Sequence, residues 1–129
     1  MNLPVLLFFM AACGKETDLM KPTLEELLYP LGITNRYRGY PYFIMAVTLA
    51  VEDPTRLSNV QKEIYLPIAL EYHANPVNVE RALRTIRDVV LRNGGPEFLK
   101  RLNGGTTPRN ATPYPTELID LFARFLNNA

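Results

Sequence analysis

The stretch from Leu66 to Arg92, LPIALEYHANPVNVERALRTIRDVVLR, decides the fold because it predicts two helices joined by a three-residue turn. The turn, residues 73–75, consists of His, Ala and Asn. His and Asn tolerate the left-handed backbone that such a turn needs, and Asn75 is a good helix N-cap. Ala69 is small enough to let the two helices approach, and Val79 would be the apolar contact from the second helix. This layout is typical of a helix-turn-helix, whose second helix enters the major groove of DNA.

The second helix, residues 76–92, is predicted to be amphipathic. On a helical wheel, one side is apolar and consists of Val79, Ala82, Leu83, Ile86, Val89 and Val90. The opposite side is charged or polar and consists of Glu80, Arg81, Arg84, Thr85 and Asp88. Arginine can bond guanine O6 and N7 together, and glutamate can accept from cytosine N4, so this side could contact base edges. Periodicity alone is equally consistent with an amphipathic helix whose charged side is only solvated.

The charge of the chain is unevenly distributed. The 129 residues are 47% apolar, which suits one domain with an ordinary core, and the net charge is only +1. Residues 78–109, however, contain seven basic and three acidic residues, a local net charge of +4. A local basic patch in a nearly neutral chain suits docking at a specific site better than bulk binding to polyanions, although plain solvated helices also carry such patches.

Several function classes are disfavoured by composition. One histidine and one cysteine exclude an internal disulfide and a cysteine-cluster metal site, and no glycine-rich phosphate loop is present. We therefore expect no enzymatic activity, no metal and no cofactor. No run of 18 apolar residues could span a bilayer. We expect no membrane partner and a cytoplasmic location.

Residues 1–22 are predicted to be an apolar N-terminal segment of uncertain role, ahead of a helical domain at 23–129. Three interpretations are open. Met10–Cys13 is similar to a bacterial lipoprotein cleavage box, although no basic residue precedes the apolar run. The run could instead be a strand or an apolar lead-in that packs on the domain. It also resembles, on few residues, the fourth strand and following helix of a receiver domain.

Helices before the turn are predicted from caps and periodicity. Residues 24–31 form a helix that Thr23 caps, with a capping-box glutamate three residues later and a glycine at the end. A second helix covers about 40–51, beside an aromatic cluster at 37–43 that suits core packing better than base stacking. A third runs from a Ser58 cap to about 73. Pro67 should bend it or mark a seam within it.

The segments after the turn are predicted in the same way. Residues 93–95, Asn-Gly-Gly, should end the helix, and a short helix should follow at 96–102. The loop 103–115, with Arg109 inside it, could be a wing that contacts the DNA backbone or a mobile connection. Thr116 should cap the last helix, 116–127. Its wide apolar stripe could serve the core or a homodimer contact.

A family resemblance rests on motifs that recur in a continuous order. They are LGI (31–33), RGYPY (38–42), IYLPIALEY (64–72), VERALRTI (79–86) and PTELIDLFARFL (115–126). From about Thr23 to Leu126 the chain resembles the C-terminal effector domain of the sporulation stage 0 protein A family. The resemblance implies an all-α domain of about six helices with a helix-turn-helix, in the winged-helix-like superfamily of response-regulator effector domains. It also implies binding to double-stranded promoter DNA, generally as a dimer.

Base-contacting residues follow from the same resemblance. The family's recognition helix maps onto 76–92, and we expect base readout by Glu80, Arg81, Arg84 and Thr85. Backbone or flanking contacts are expected from Asn78, Asp88, Arg92 and Arg109. The best-known member has histidine where this chain has Thr85, and the family pattern has a basic residue at Asn78, so the target sequence need not be the family's. If the fold were kept and DNA affinity lost, the chain would be a protein-interaction module.

Family members usually carry an N-terminal receiver whose aspartate is phosphorylated. Only about 22 residues precede the similar region in this sequence. We therefore expect a regulator that is not controlled by a receiver in the same chain.

Overall fold

The order of helices is taken from a computed structural model, which describes residues 23–110 and 112–128. In chain order the helices are α1 (Leu24–Leu28), α2 (Gly39–Glu52), α3 (Leu66–Glu71), α4 (Pro76–Leu102) and α5 (Pro115–Asn128). Short 3-10 segments, Tyr29–Leu31 and Pro54–Asn59, and a π turn, Gln61–Tyr65, join them. Backbone angles break α4 at Gly95, and counting its two parts gives six helices within the described ranges. The predicted all-α fold of about six helices is confirmed.

The segment 1–22, with its three interpretations and its boundary to the domain, lies outside the described residues. Among the helices of the described ranges, none combines the length and the apolar composition needed to cross a membrane. Those ranges also contain no β-strand, so the described residues of the 103–115 loop form no β-hairpin.

The start of the domain follows the predicted caps. Thr23 accepts a hydrogen bond from the Glu26 N–H at 3.2 Å, and its own N–H donates to Glu26 Oε1 at 2.9 Å. This reciprocal pair satisfies two backbone donors that would otherwise lack partners. Gly32 ends the following 3-10 segment with φ of 81°. Asn93 Nδ2 donates to Leu31 O at 2.6 Å, which attaches this end of the chain to α4.

One part of the core lies where α2, the C-terminal part of α4 and α5 meet. Phe122 lies at the centre, with its ring centroid 5.1 Å from that of Phe43 and 5.9 Å from that of Phe98. The apolar stripe of α5 is largely buried in this core through Leu118, Ile119, Leu121 and Phe122. Tyr42 and Phe43 are also buried, while Tyr37 and Tyr40 pack at its edge, which confirms core packing for the aromatic cluster.

The region before α3 differs from the predicted single helix. Ser58 is not a cap: it lies inside the 3-10 segment, and its hydroxyl donates to Thr55 O at 2.7 Å. Asp53 is the cap instead, accepting from the Thr55 N–H at 3.1 Å. The predicted seam is present, because Pro67 falls in the first turn of α3, directly after the π turn. Proline lacks the N–H that would bond the Glu63 carbonyl, so a regular α-helix cannot run through this point.

Of two predicted boundaries near the C-terminus, one is confirmed and one is corrected. The predicted break at 93–95 is present, because Gly95 has φ of 65° and ψ of −170°, and the short second part of α4 then runs to Leu102 as predicted. Thr116 does not cap α5, because the helix already begins at Pro115. Proline is favoured at a first helical position since it has no N–H to satisfy. Glu117 accepts from the Tyr114 N–H at 2.9 Å and does part of the work of a cap.

Two helices approach each other closely at Gly39, the first residue of α2. A Cβ atom there would lie 2.6 Å from the Ala82 carbonyl oxygen and 2.9 Å from Ile86 Cγ1. Neither neighbour is the flexible end of a long side chain. The absence of a side chain at Gly39 therefore sets how closely α2 packs on α4.

We expect Gly39→Ala to lower the free energy of unfolding by about 1–3 kcal/mol, the usual cost of overpacking. Without a clash, the same change would raise it by about 0.4–1 kcal/mol by restricting the unfolded chain, so the sign is decisive. Urea denaturation measures the effect. Thr48→Ala, at an exposed position of the same helix, is the control and should shift stability by less than about 0.5 kcal/mol. Equal or higher stability of Gly39→Ala would contradict the close contact.

Candidate nucleic-acid interface

The turn between α3 and α4 has the backbone that its residues predicted. His73 has φ of 53°, the single positive φ at a non-glycine residue in the described ranges. The Ala74 N–H donates to Ala69 O at 2.8 Å, which is the long hydrogen bond of a Schellman motif and satisfies a carbonyl at the end of α3. Ala69 and Val79, the pair predicted to lie between the two helices, are both buried in the core.

The start of α4 is held by Asn75. Its side-chain oxygen accepts from the Val77 N–H at 2.8 Å, and its carbonyl accepts the first helical bond from the Val79 N–H at 3.0 Å. Pro76 occupies the first helical position, where no N–H is required. The N-terminal turn of α4, which would enter a DNA groove first, is therefore well fixed.

The two predicted sides of this helix are confirmed by burial. The apolar side, Val79, Leu83, Ile86, Val89 and Val90, is almost fully buried. Most predicted site residues on the helix are exposed, namely Asn78, Arg81, Arg84, Thr85, Asp88 and Arg92. Glu80 is half-buried. The structure thus brings the four predicted base-contacting residues together on one surface, named here the charged face: Glu80, Arg81, Arg84 and Thr85.

One edge of the charged face carries an ion pair. Arg84 Nη2 lies 3.1 Å from Glu80 Oε2, with side chains 52% and 37% exposed. An exposed pair of this spacing contributes only about 0.3–0.5 kcal/mol, so Arg84 can leave it at little cost. The pair lies near Tyr65, whose burial raises its pKa; the Thr116 side chain lowers that pKa, and Glu80 and Arg84 act in opposite directions.

At the other edge, α4 and the start of α2 form a groove of about 270 Å³. This α2–α4 groove is lined by Tyr37, Arg38, Gly39, Asn78, Arg81, Ala82, Thr85 and Ile86. Thr85 donates its hydroxyl hydrogen to Arg81 O at 3.2 Å. Its oxygen can still accept a hydrogen bond from outside the protein. Within the described residues, the Arg81 guanidinium has no hydrogen-bond or ion-pair partner.

The flanking residues differ in their surroundings. Asp88 Oδ1 accepts from Arg87 Nε at 2.8 Å, and Arg87 Nη1 donates to Pro113 O at 3.2 Å. Arg87 therefore connects α4 to the segment before α5. The Asp88 carboxylate is occupied by its bond to Arg87. Arg92 is exposed eleven residues after Arg81, a rise of roughly 16 Å along a helix. It lies too far along α4 to act with the charged face and suits a flanking contact.

Arg109 is placed apart from these residues. It lines a separate groove with Asn103, Pro108, Asn110, Pro113, Glu117, Asp120, Leu121 and Arg124. That groove includes no residue of the charged face and has two carboxylates of α5 in its wall. A DNA contact by Arg109 stays a prediction, without the support of proximity.

Sequence reasoning missed three residues beside the charged face. Val77 is 52% exposed in the first turn of α4, an unusual place for a β-branched apolar side chain. The position of Val77 on the helical wheel would have predicted that its side chain is exposed. Tyr37 and Arg38 share the α2–α4 groove with Arg81, although more than forty positions separate them in sequence. No local sequence signal predicts which distant residues tertiary packing brings together.

The comparison with protein families agrees with this geometry. Residues 24–126 match the family described as Sporulation initiation factor Spo0A C terminal. The match covers most of the 129 residues, so the chain belongs to this family of helical DNA-binding domains. The matched region contains α3, α4 and the whole α2–α4 groove.

Replacing the cap of α4 should lower the stability of the domain. We expect Asn75→Ala to lower the free energy of unfolding by about 1 kcal/mol, because the Val77 N–H loses its acceptor. Asn75→Asp keeps an acceptor oxygen and should retain most of the stability. Thermal unfolding of the three proteins measures this. If Asn75→Ala and Asn75→Asp lower the free energy of unfolding equally, the hydrogen bond from the Val77 N–H to the side chain at position 75 contributes little.

Proposed function

We propose that this member of the family is a sequence-specific transcription regulator that binds double-stranded DNA with the N-terminal half of α4 in the major groove. The observation that carries the proposal is the charged face: two exposed arginines, an exposed threonine and a half-buried glutamate on a capped helix whose other side is buried. Family membership supports DNA binding in general. A DNA target would place the protein in the cytoplasm.

The chemistry of base readout follows from the side chains present. Arg81 has no partner among the described residues to give up, and its planar fork suits guanine O6 and N7. Arg84 would exchange the Glu80 carboxylate for a base edge. Glu80, released from Arg84, could then accept from cytosine N4.

Val77 extends the proposed reading surface. It lies one helical turn before Arg81, and its stiff β-branched side chain has few rotamers to lose on binding. Apolar side chains in recognition helices contact the thymine methyl group. We therefore assign Val77 to a thymine next to the base contacted by Arg81.

Little apolar surface of α5 is available for a homodimer contact. The stripe on α5 that could have served a homodimer is mostly used in the core of the chain itself. Phe125 is partly buried, and the outward side of α5 carries Glu117, Asp120 and Arg124. A homodimer through 116–127 would therefore be largely polar.

An alternative function is a protein-interaction module that keeps the fold without DNA affinity. A second groove, of about 480 Å³, runs along α2 and favours it. Its lining includes apolar side chains and three carboxylates, those of Glu25, Glu52 and Glu71, and no cation. This surface would suit a protein partner and would repel DNA. Absence of DNA binding at low salt, together with capture of a defined partner, would favour this alternative.

Arg84→Ala should reduce discrimination between binding sites. We expect the preference for the selected base over the others to fall by about 1–3 kcal/mol, the usual contribution of a bidentate contact. Selection from randomised DNA, followed by gel shifts, measures it. Arg124→Ala is a matched control, since Arg124 is equally exposed and pairs with Asp120 at 3.0 Å in the same spacing. An unchanged preference in Arg84→Ala would exclude Arg84 from the reading surface.

Deoxyuridine tests the role of Val77, because it differs from thymidine only by the methyl group. In the selected site, replacing the contacted thymine should weaken wild-type binding about four-fold, corresponding to roughly 0.8 kcal/mol for one buried methyl. Val77→Ala should bind both sites alike. If the wild type shows no sensitivity to deoxyuridine at any thymine, Val77 reads no methyl group.

A further inference from the structure

The size of α4 relative to DNA determines what lies beside it. The major groove is about 12 Å wide, and a helix with its side chains is about 10–12 Å across. A helix that places its charged face on the bases therefore fills the groove. The elements at its two edges must then meet the sugar-phosphate strands. One of these edges is the α2–α4 groove, whose far wall is formed by Tyr37 and Arg38.

The charges of the residues that line this groove indicate which kind of ligand would bind there. The α2–α4 groove contains two guanidinium groups, those of Arg38 and Arg81, and no carboxylate. The groove on the other side of α2 has the opposite composition, with carboxylates and no cation. The start of α2 therefore presents a positive surface only on the side that faces the charged face.

The Arg38 side chain has no partner inside the described part of the chain. Four of the ten arginines there, Arg56, Arg84, Arg87 and Arg124, pair with a carboxylate at 2.8–3.2 Å, and Arg38 is among the six that do not. Arg38 is exposed and makes no hydrogen bond or ion pair with a described residue. An unpaired guanidinium beside a recognition helix is available for a planar, bidentate bond to a phosphate.

The position of Arg38 relative to α4 is well fixed. The next residue, Gly39, packs against the Ala82 carbonyl and Ile86 so closely that a Cβ would not fit. The Tyr37 N–H also donates to Thr34 O at 3.0 Å. A phosphate contact held this firmly would set the register of α4 on the bases.

We propose that Tyr37 and Arg38 form a phosphate-binding site that holds one DNA strand beside the recognition helix. This inference rests on the proposed function. It adds a contact outside the helix-turn-helix and assigns it to the DNA backbone, with no part in base selection. Arg38 supplies the charge, and the half-buried Tyr37 supplies a hydroxyl donor.

The test compares Arg38→Ala with Lys100→Ala, which removes the same charge from an exposed position beyond the Gly95 break. Affinity of Arg38→Ala should fall on every DNA sequence alike, and its slope of log affinity against log salt should be smaller by about 0.9. The ratio of wild-type to variant affinity should then fall about 3.5-fold between roughly 50 and 200 mM salt. Lys100→Ala should match the wild type.

Methylphosphonate substitution, which neutralises one phosphate at a time, identifies the partner. One position should weaken the wild type and leave Arg38→Ala unaffected. If no position behaves this way, or Lys100→Ala loses as much affinity as Arg38→Ala, the site is absent. If the wild type discriminates between sequences but Arg38→Ala changes neither the affinity nor its salt dependence, this inference alone is overturned. A wild type that binds no DNA at low salt overturns the proposed function and this inference together.

Discussion

The contact between the start of α2 and the middle of α4 governs the geometry of this domain. Gly39 lies against the carbonyl of Ala82, at a distance that no side chain would permit. Because backbone meets backbone there, the contact cannot be relieved by a rotamer change. The crossing of the two helices, the width of the groove between them and the position of Arg38 beside Arg81 all depend on it.

The distribution of ion pairs separates structural from available charges. Arg87 joins α4 to the segment before α5 through Asp88 and Pro113, and it is the least exposed arginine with an ion pair in the described ranges. Within the described residues, Arg38 and Arg81 have no such ties. A net charge near zero therefore conceals the difference between arginines that are paired and arginines that are available to a ligand. Net charge describes solubility better than it describes binding.

Local signals in the sequence predicted local structure well. The capping box at Thr23 and the N-cap at Asn75 depend only on residues within one turn, so the sequence contains all that determines them. The caps assigned to Ser58 and Thr116 failed because each competes with a nearby proline that starts the helical segment earlier. The charged face followed from periodicity. The position of Arg38 beside α4 could not be predicted from the sequence, since only the packing of α2 against α4 brings it there.

The π turn at Gln61–Tyr65 has a consequence for insertions and deletions. A π turn contains one residue more than an α turn. Loss of one residue there would convert it to an ordinary turn and leave α3 and the helix-turn-helix in place. The same loss within α4 would rotate every later side chain by about 100° and carry the arginines away from their surface. Length variation among relatives should therefore concentrate before α3 and avoid α4.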